Sequence, residues 1–189
     1  MADERPPSIA RMRKRHTPKR ATEAQPEDGR RLLERQSLRD ALTASLIVII
    51  VFSVLWAMLS TLTNRIFPWM TLLLGIIIGL AVRRAGQGLD WRFPALAVVA
   101  TIVGAVASNV VVAAAFTARA LETSTLTILR AVTSMTWPVF FDEAMTQADA
   151  AYALIGAAVA AFYANRRLNR AEFLALRKWE NVRDEARGD

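Results

Sequence analysis

Phe67-Pro68-Trp69-Met70-Thr71-Leu72-Leu73-Leu74-Gly75-Ile76-Ile77-Ile78-Gly79-Leu80-Ala81-Val82 carries no charge. Arg83-Arg84-Ala85-Gly86-Gln87-Gly88-Leu89-Asp90-Trp91-Arg92 follows directly, and another apolar run begins at Phe93-Pro94. The first stretch is too continuously apolar to face water. The second is a basic turn containing two glycines. Two membrane helices joined by a short positive loop is the reading these residues ask for, and the charge of the loop sets an orientation.

Working outward, the apolar residues concentrate between 41 and 164 and the charges at the two ends. Just over half of the 189 residues are hydrophobic, yet the net charge is +7. Segregation of this kind fits a membrane protein better than a soluble globule. The chain has no cysteine, which excludes disulfides, thiolate metal sites and cysteine nucleophiles. The charged N-terminal segment is too long for a secretory leader, so the first apolar helix is expected to remain as an anchor.

Four spans are expected, at about 41–62, 68–82, 94–117 and 148–163. The first contains Leu46-Ile47-Val48-Ile49-Ile50-Val51-Phe52, with Trp56 somewhat inside its outer end and Ser53 and Ser60 able to bond back to the backbone. Pro68 is tolerated in the first turn of the second span, and Trp69 suits an interface. Lys and Arg number eleven before the first span, one in the first turn, three in the second loop, two in the third and seven in the tail. The positive-inside rule then puts both termini and the second loop in the cytoplasm. The expected architecture is all-α: an integral membrane four-helix bundle of two hairpins in a bacterial inner membrane. A cytoplasmic segment, 1–40, precedes the membrane domain, 41–164, and a cytoplasmic amphipathic helix, 165–189, follows it.

Small residues recur at helical spacing on three of the spans. Gly75 and Gly79 form a GxxxG pair, Ala100, Gly104 and Ser108 repeat every four residues, and Gly156 and Ala160 continue to Ala164. Such faces let backbones approach closely, inside the bundle or in a homodimer. Asn109 lies near the middle of the third span and needs a partner there, either a packing hydrogen bond or a contact to a substrate or partner helix.

Basic residues mark candidate sites for anionic headgroups. Arg11, Arg13, Lys14, Arg15, Lys19 and Arg20 lie in a proline-rich N-terminal segment expected to be disordered. Arg83 and Arg84 end the second span, and Arg166 and Arg167 end the fourth. The N-terminal cluster also serves as a topology signal. It lacks the interleaved aromatics of a nucleic-acid site, so no nucleic-acid partner is expected. Asp28 or Gly29 starts a helix expected to run straight into the first span. Residues 118–147, with Leu121, Leu126, Leu129, Val132 and Met135, fit an outer interfacial helix, or else a re-entrant segment, and Pro138 breaks any helix there. In the tail, Phe173, Leu176, Trp179 and Val182 form a narrow apolar stripe for a membrane surface or a partner, or the helix is simply a solvated extension.

Gly75 through Gly88 with Asp90, Arg92 and Phe93, and Leu154 through Arg166, resemble small bacterial four-span membrane proteins of unknown function. The likeness covers roughly residues 67–105 and 150–167. It implies the topology and no activity. Some of those proteins carry a zinc-ribbon segment, and the absence of cysteine means that nothing of it carries over.

No catalytic constellation is legible, there being no Ser/His/Asp set, no HExxH and no paired acids inside a span, so an enzyme is not expected. No cofactor or metal is expected either, since His16 is alone among cations. The expected role is an accessory or scaffold protein that packs against a membrane complex or itself through its small-residue faces. The alternative is a small homo-oligomeric transporter or channel for a neutral solute, using Thr101, Ser108 and Asn109.

Overall fold

A computed structural model describes residues 25–132, 136–166 and 168–188. The basic cluster Arg11–Arg20 and Arg167 lie outside the described residues, as does Met135. Every regular element among the described residues is a helix: α1 Pro26–Glu34, α2 Leu38–Thr63, α3 Met70–Gly86, α4 Arg92–Ala120, α5 Thr125–Ala131, α6 Trp137–Ala144, α7 Gln147–Ala164 and α8 Arg170–Gly188. Two of them, α2 and α4, are long and apolar enough to cross a membrane. At 17 residues α3 rises about 26 Å, short of a roughly 30 Å hydrocarbon core.

The helix before the first span does not run into it. α1 stops at Glu34, and Ser37 adopts an extended backbone whose hydroxyl accepts from the Asp40 amide at 3.2 Å. That cap starts α2 afresh, because it satisfies an amide the first turn leaves unpaired. The Ser37 amide donates to the Gly86 carbonyl at 3.0 Å, so the break also ties the start of α2 to the end of α3.

The expected basic loop is shorter than its charges suggested. α3 continues through Arg83 and Arg84 to Gly86, where two arginines in the last turn complement the helix dipole. α4 resumes at Arg92, with Pro94 inside its first turn. The left-handed position is taken by Gln87, φ 46°, and by neither glycine. Gly88 is required for space instead, since a Cβ there would overlap the buried Phe93 ring. At the start of α3, Pro68 lies before the helix, in a turn closed by the Met70 amide donating to Phe67 and the Thr71 amide to Pro68.

Between α4 and α7 the single interfacial helix is replaced by two short ones, α5 and α6, both resting on α4. Ser124 caps α5 through the Thr127 amide. Pro138 sits in the first turn of α6, so it starts a helix there instead of breaking one.

The chain divides into two units. In residues 31–167, α3 and α4 lie against each other, with α2 packed on both and α7 also packed on both; α5 and α6 touch α4. Ala41 meets Gly86, so α2 and α3 are antiparallel. Ser53 meets Ser108 and Arg119 reaches the Thr61 carbonyl, so α2 and α4 are parallel. Gly75 meets Gly156 and Gly79 meets Ala160, so α3 and α7 are parallel. The end holding Gly86, Phe93 and Arg166 also carries Arg83, Arg84 and Arg92, against Asp40 and Asp90. The opposite end holds Arg65 and Arg119 with Glu122 and Asp149.

In the other unit, Gly29 is buried against α8. A Cβ on it would lie 2.5 Å from the Ala175 carbonyl oxygen. The Arg30 guanidinium stands 5.9 Å from the Trp179 ring centroid, within cation–π range. Leu176 and Trp179 of the expected stripe are half-buried, whereas Phe173 and Val182 are exposed. The partner of this amphipathic helix includes the chain's own α1.

Candidate functional site: a small-residue seam and a buried polar layer

The seam between α3 and α7 is a contact between backbones. A Cβ on Gly75 would overlap the Gly156 carbonyl, one on Gly79 would lie 2.6 Å from the Ala160 oxygen, and one on Gly156 would lie 2.8 Å from the Thr71 oxygen. In each case the obstruction is main chain, which no side-chain rotation relieves. Gly75, Gly79, Gly156 and Ala160 are thus brought together within one chain, and all four are buried. On α4, Ala100, Gly104 and Ser108 face inward. Gly104 leaves room for Ile49 and Leu74, a Cβ there lying 2.9 and 3.2 Å from them.

Hydroxyls fill much of the remaining interior. Ser45, Ser53, Ser60, Thr71, Thr101 and Ser108 are all buried. Ser53 Oγ donates to the Ile49 carbonyl at 2.7 Å and lies 2.8 Å from Ser108 Oγ, which joins α2 to α4. Ser45 and Thr101 bond back to Ala41 and Ala97, four residues earlier. An interhelical bond in an apolar bundle is worth roughly 0.6–2 kcal/mol. A double-mutant cycle on Ser53→Ala and Ser108→Ala, read by SDS unfolding under circular dichroism, should return a coupling in that range. A coupling of zero would mean that the two hydroxyls are satisfied independently.

Asn109 is buried and donates through Nδ2 to Met145 Sδ at 3.3 Å. The partner is therefore a thioether just ahead of α7, a weak acceptor. Ser60 departs from the backbone-bonded expectation, because its Oγ has no partner among the described residues. Trp56 Nε1, Thr71 Oγ1 and Asp149 Oδ1 share that state, all in residues at most 5% exposed. The Ala41–Gly86 register sets Trp56 level with Thr71. Ser60 lies one turn further along α2, and Asp149 one turn before the α7 residues at that level. Four buried polar atoms thus occupy one half of the bundle, the half away from Gly86. An unmade hydrogen bond at a buried polar atom costs about 1–3 kcal/mol, so this half of the bundle holds unused hydrogen-bonding potential.

Asp149 lies buried in the first turn of α7. Its Oδ2 accepts from the Thr146 amide at 3.0 Å and the Thr146 hydroxyl at 2.6 Å, while the Asp149 amide donates back to Thr146 Oγ1. The signal was available: Thr-x-x-Asp before an alanine-rich run is a capping box. Trp56, placed by the sequence somewhat inside the outer end of the first span, is fully buried, edge-on to Phe52 at 5.9 Å.

Of the headgroup candidates, Arg83 and Arg84 are exposed at the end of α3, and Arg166 donates to the Gln87 carbonyl at 3.4 Å. No group of three or more potential metal ligands occurs among the described residues. Comparison with protein families, with curated proteins and with solved structures finds no match to this chain.

Proposed function

We propose that α2, α3, α4 and α7 together cross a bacterial inner membrane, with both termini cytoplasmic, and that the protein serves a membrane complex as an accessory or scaffold subunit. One observation carries the membrane part: large aliphatic side chains crowd the outward faces of the helices. Small and hydroxylated residues share the interior with Phe52, Trp56, Leu74, Ile78 and Val82. Leu46, Ile47, Ile50, Val51, Val54 and Leu55 on α2 are each more than half exposed, as are Val99 and Val103 on α4 and Leu154 and Ile155 on α7. A bundle in water buries its large aliphatics; lipid removes that demand, and close packing of small residues takes over. The parallel pairs α2/α4 and α3/α7, and the arginines gathered at the Gly86 end, agree with a four-span path under the positive-inside rule. The short α3 and weakly apolar α7 are held by their neighbours.

The accessory role rests on what is left exposed. The small-residue seams close inside the chain, so the surface available to a membrane partner, or to a second copy, is chiefly the aliphatic face of α2. Purification in mild detergent with mass determination tests this, and a stoichiometric foreign partner is the expected result.

Topology has a clean test, because the chain has no cysteine. Thr123→Cys is expected to react with an impermeant maleimide on intact cells. Asp90→Cys and Asn169→Cys should react only after permeabilisation. Labelling of Asp90→Cys on intact cells would instead mean that α3 does not cross.

A second reading, a small transporter or channel for a neutral solute, is favoured by the unpartnered atoms around Trp56, Thr71 and Asp149. A solute-dependent thermal shift abolished by Asn109→Leu would select it.

A further inference from the structure

We propose that the groove between α2 and α4, at the end away from Gly86, is a phospholipid site. A phosphate would rest on Arg119 and one acyl chain would lie along the helices. The proposal rests on the membrane reading above. The groove has a volume of about 410 Å³, with walls of Val54, Met58, Val111 and Ala115 and a mouth formed by Arg119 and Thr123.

Two features argue for this occupant. The first is the placement of the cation. Arg119 Nη1 donates to the Thr61 carbonyl, in the last turn of α2, where carbonyls lack helical partners. That bond holds the guanidinium at the mouth while the fork keeps further donors for a phosphate oxygen. No carboxylate pairs with Arg119 among the described residues, and Glu122 is exposed and does not line the groove.

The second is contrast with two other grooves among the described residues. One of about 480 Å³ runs over α4 beside Trp137, and one of about 220 Å³ lies between α2 and α3. Both are lined by apolar residues without a charge, so they offer an acyl chain a wall and a headgroup nothing. The Arg119 groove passes from aliphatic to hydroxyl and cation along one direction. An amphiphile with an anionic phosphate has the complementary order.

The test is native mass spectrometry of the full chain in detergent, titrated with dioleoyl phosphatidylglycerol, dioleoylglycerol or inorganic phosphate. Phosphatidylglycerol should bind about tenfold more tightly than dioleoylglycerol, the worth of one charge-assisted contact, and inorganic phosphate should not compete. Arg119→Gln should bring the two lipids to equal affinity, while Arg130→Gln, on α5 outside the groove, leaves the preference intact. Val54→Trp fills an exposed wall position, keeps the Arg119–Thr61 bond, and should lower binding of both lipids. Equal binding of the two lipids by the unaltered protein would overturn the site, as would wild-type affinity in both Arg119→Gln and Val54→Trp. Flotation with phosphatidylglycerol vesicles separates the two levels. A chain that floats but shows no Arg119-dependent preference refutes the groove alone, and one that does not float refutes the membrane reading with it.

Discussion

Gly75→Leu is expected to drive α3 and α7 apart and to remove most of the stability of the four-helix unit. A Cβ at Gly75 already overlaps the Gly156 carbonyl, and Gly156 itself sits against the Thr71 oxygen. Overpacking a core typically costs about 1–3 kcal/mol when side chains can shift. Here the neighbour is main chain, so the loss should reach or exceed the top of that range. Gly75→Ala should show a smaller loss of the same sign. Leu73→Phe adds bulk on the exposed face of the same helix and should change little. SDS unfolding under circular dichroism reads all three. Near-equal midpoints for Gly75→Leu and Leu73→Phe would show that α3 and α7 do not pack at this register. From sequence alone, the faces holding Gly75, Gly79 and Gly104 could pack inside the bundle, against a second copy or against a membrane complex. With these glycines turned inward, the expected loss falls on the fold first, and any loss of assembly follows from it.

Trp56 offers the second large effect, and a way to weigh the buried polar layer. Its side chain is fully buried against Phe52, and its Nε1 has no partner among the described residues. Trp56→Ala should cost about 3–5 kcal/mol, through lost contact and the cavity left behind. Trp56→Phe keeps most of the ring volume and removes the orphan donor, whose burial alone costs about 1–3 kcal/mol. The phenylalanine variant should therefore stay within about 1 kcal/mol of the unaltered protein. A loss above about 2 kcal/mol would mean that the indole N–H is satisfied by a guest, strengthening the solute-binding reading at the expense of the packing one.

The helical class, the uncharged runs and the small-residue stripes were legible in the sequence, because each depends on composition or on spacing along one helix. Ser53 bonding to Ile49 is a local pattern of the same kind. The break at Ser37 escaped, although a serine followed three residues later by Asp40 is a capping signal. A continuous charged-to-apolar gradient masked it. The extent of α3 escaped for a related reason: charge marks where lipid would end, but a helix ends where its backbone is capped, and arginine propagates a helix well. Local signals of that sort were available for Thr146 and Asp149 too.

By itself, the sequence determined that the chain is helical, which faces of its helices are small, and at which ends its arginines gather. Only the tertiary structure decided which face meets which. Periodicity identifies a stripe but carries no information about the surface opposite it. So the pairing of Gly75 with Gly156, of Ser53 with Ser108, of Asn109 with Met145 and of Gly29 with Ala175 had to come from the fold. The same holds for the unpartnered Trp56, Ser60, Thr71 and Asp149 atoms, since whether a polar atom is satisfied depends on neighbours far away in the chain.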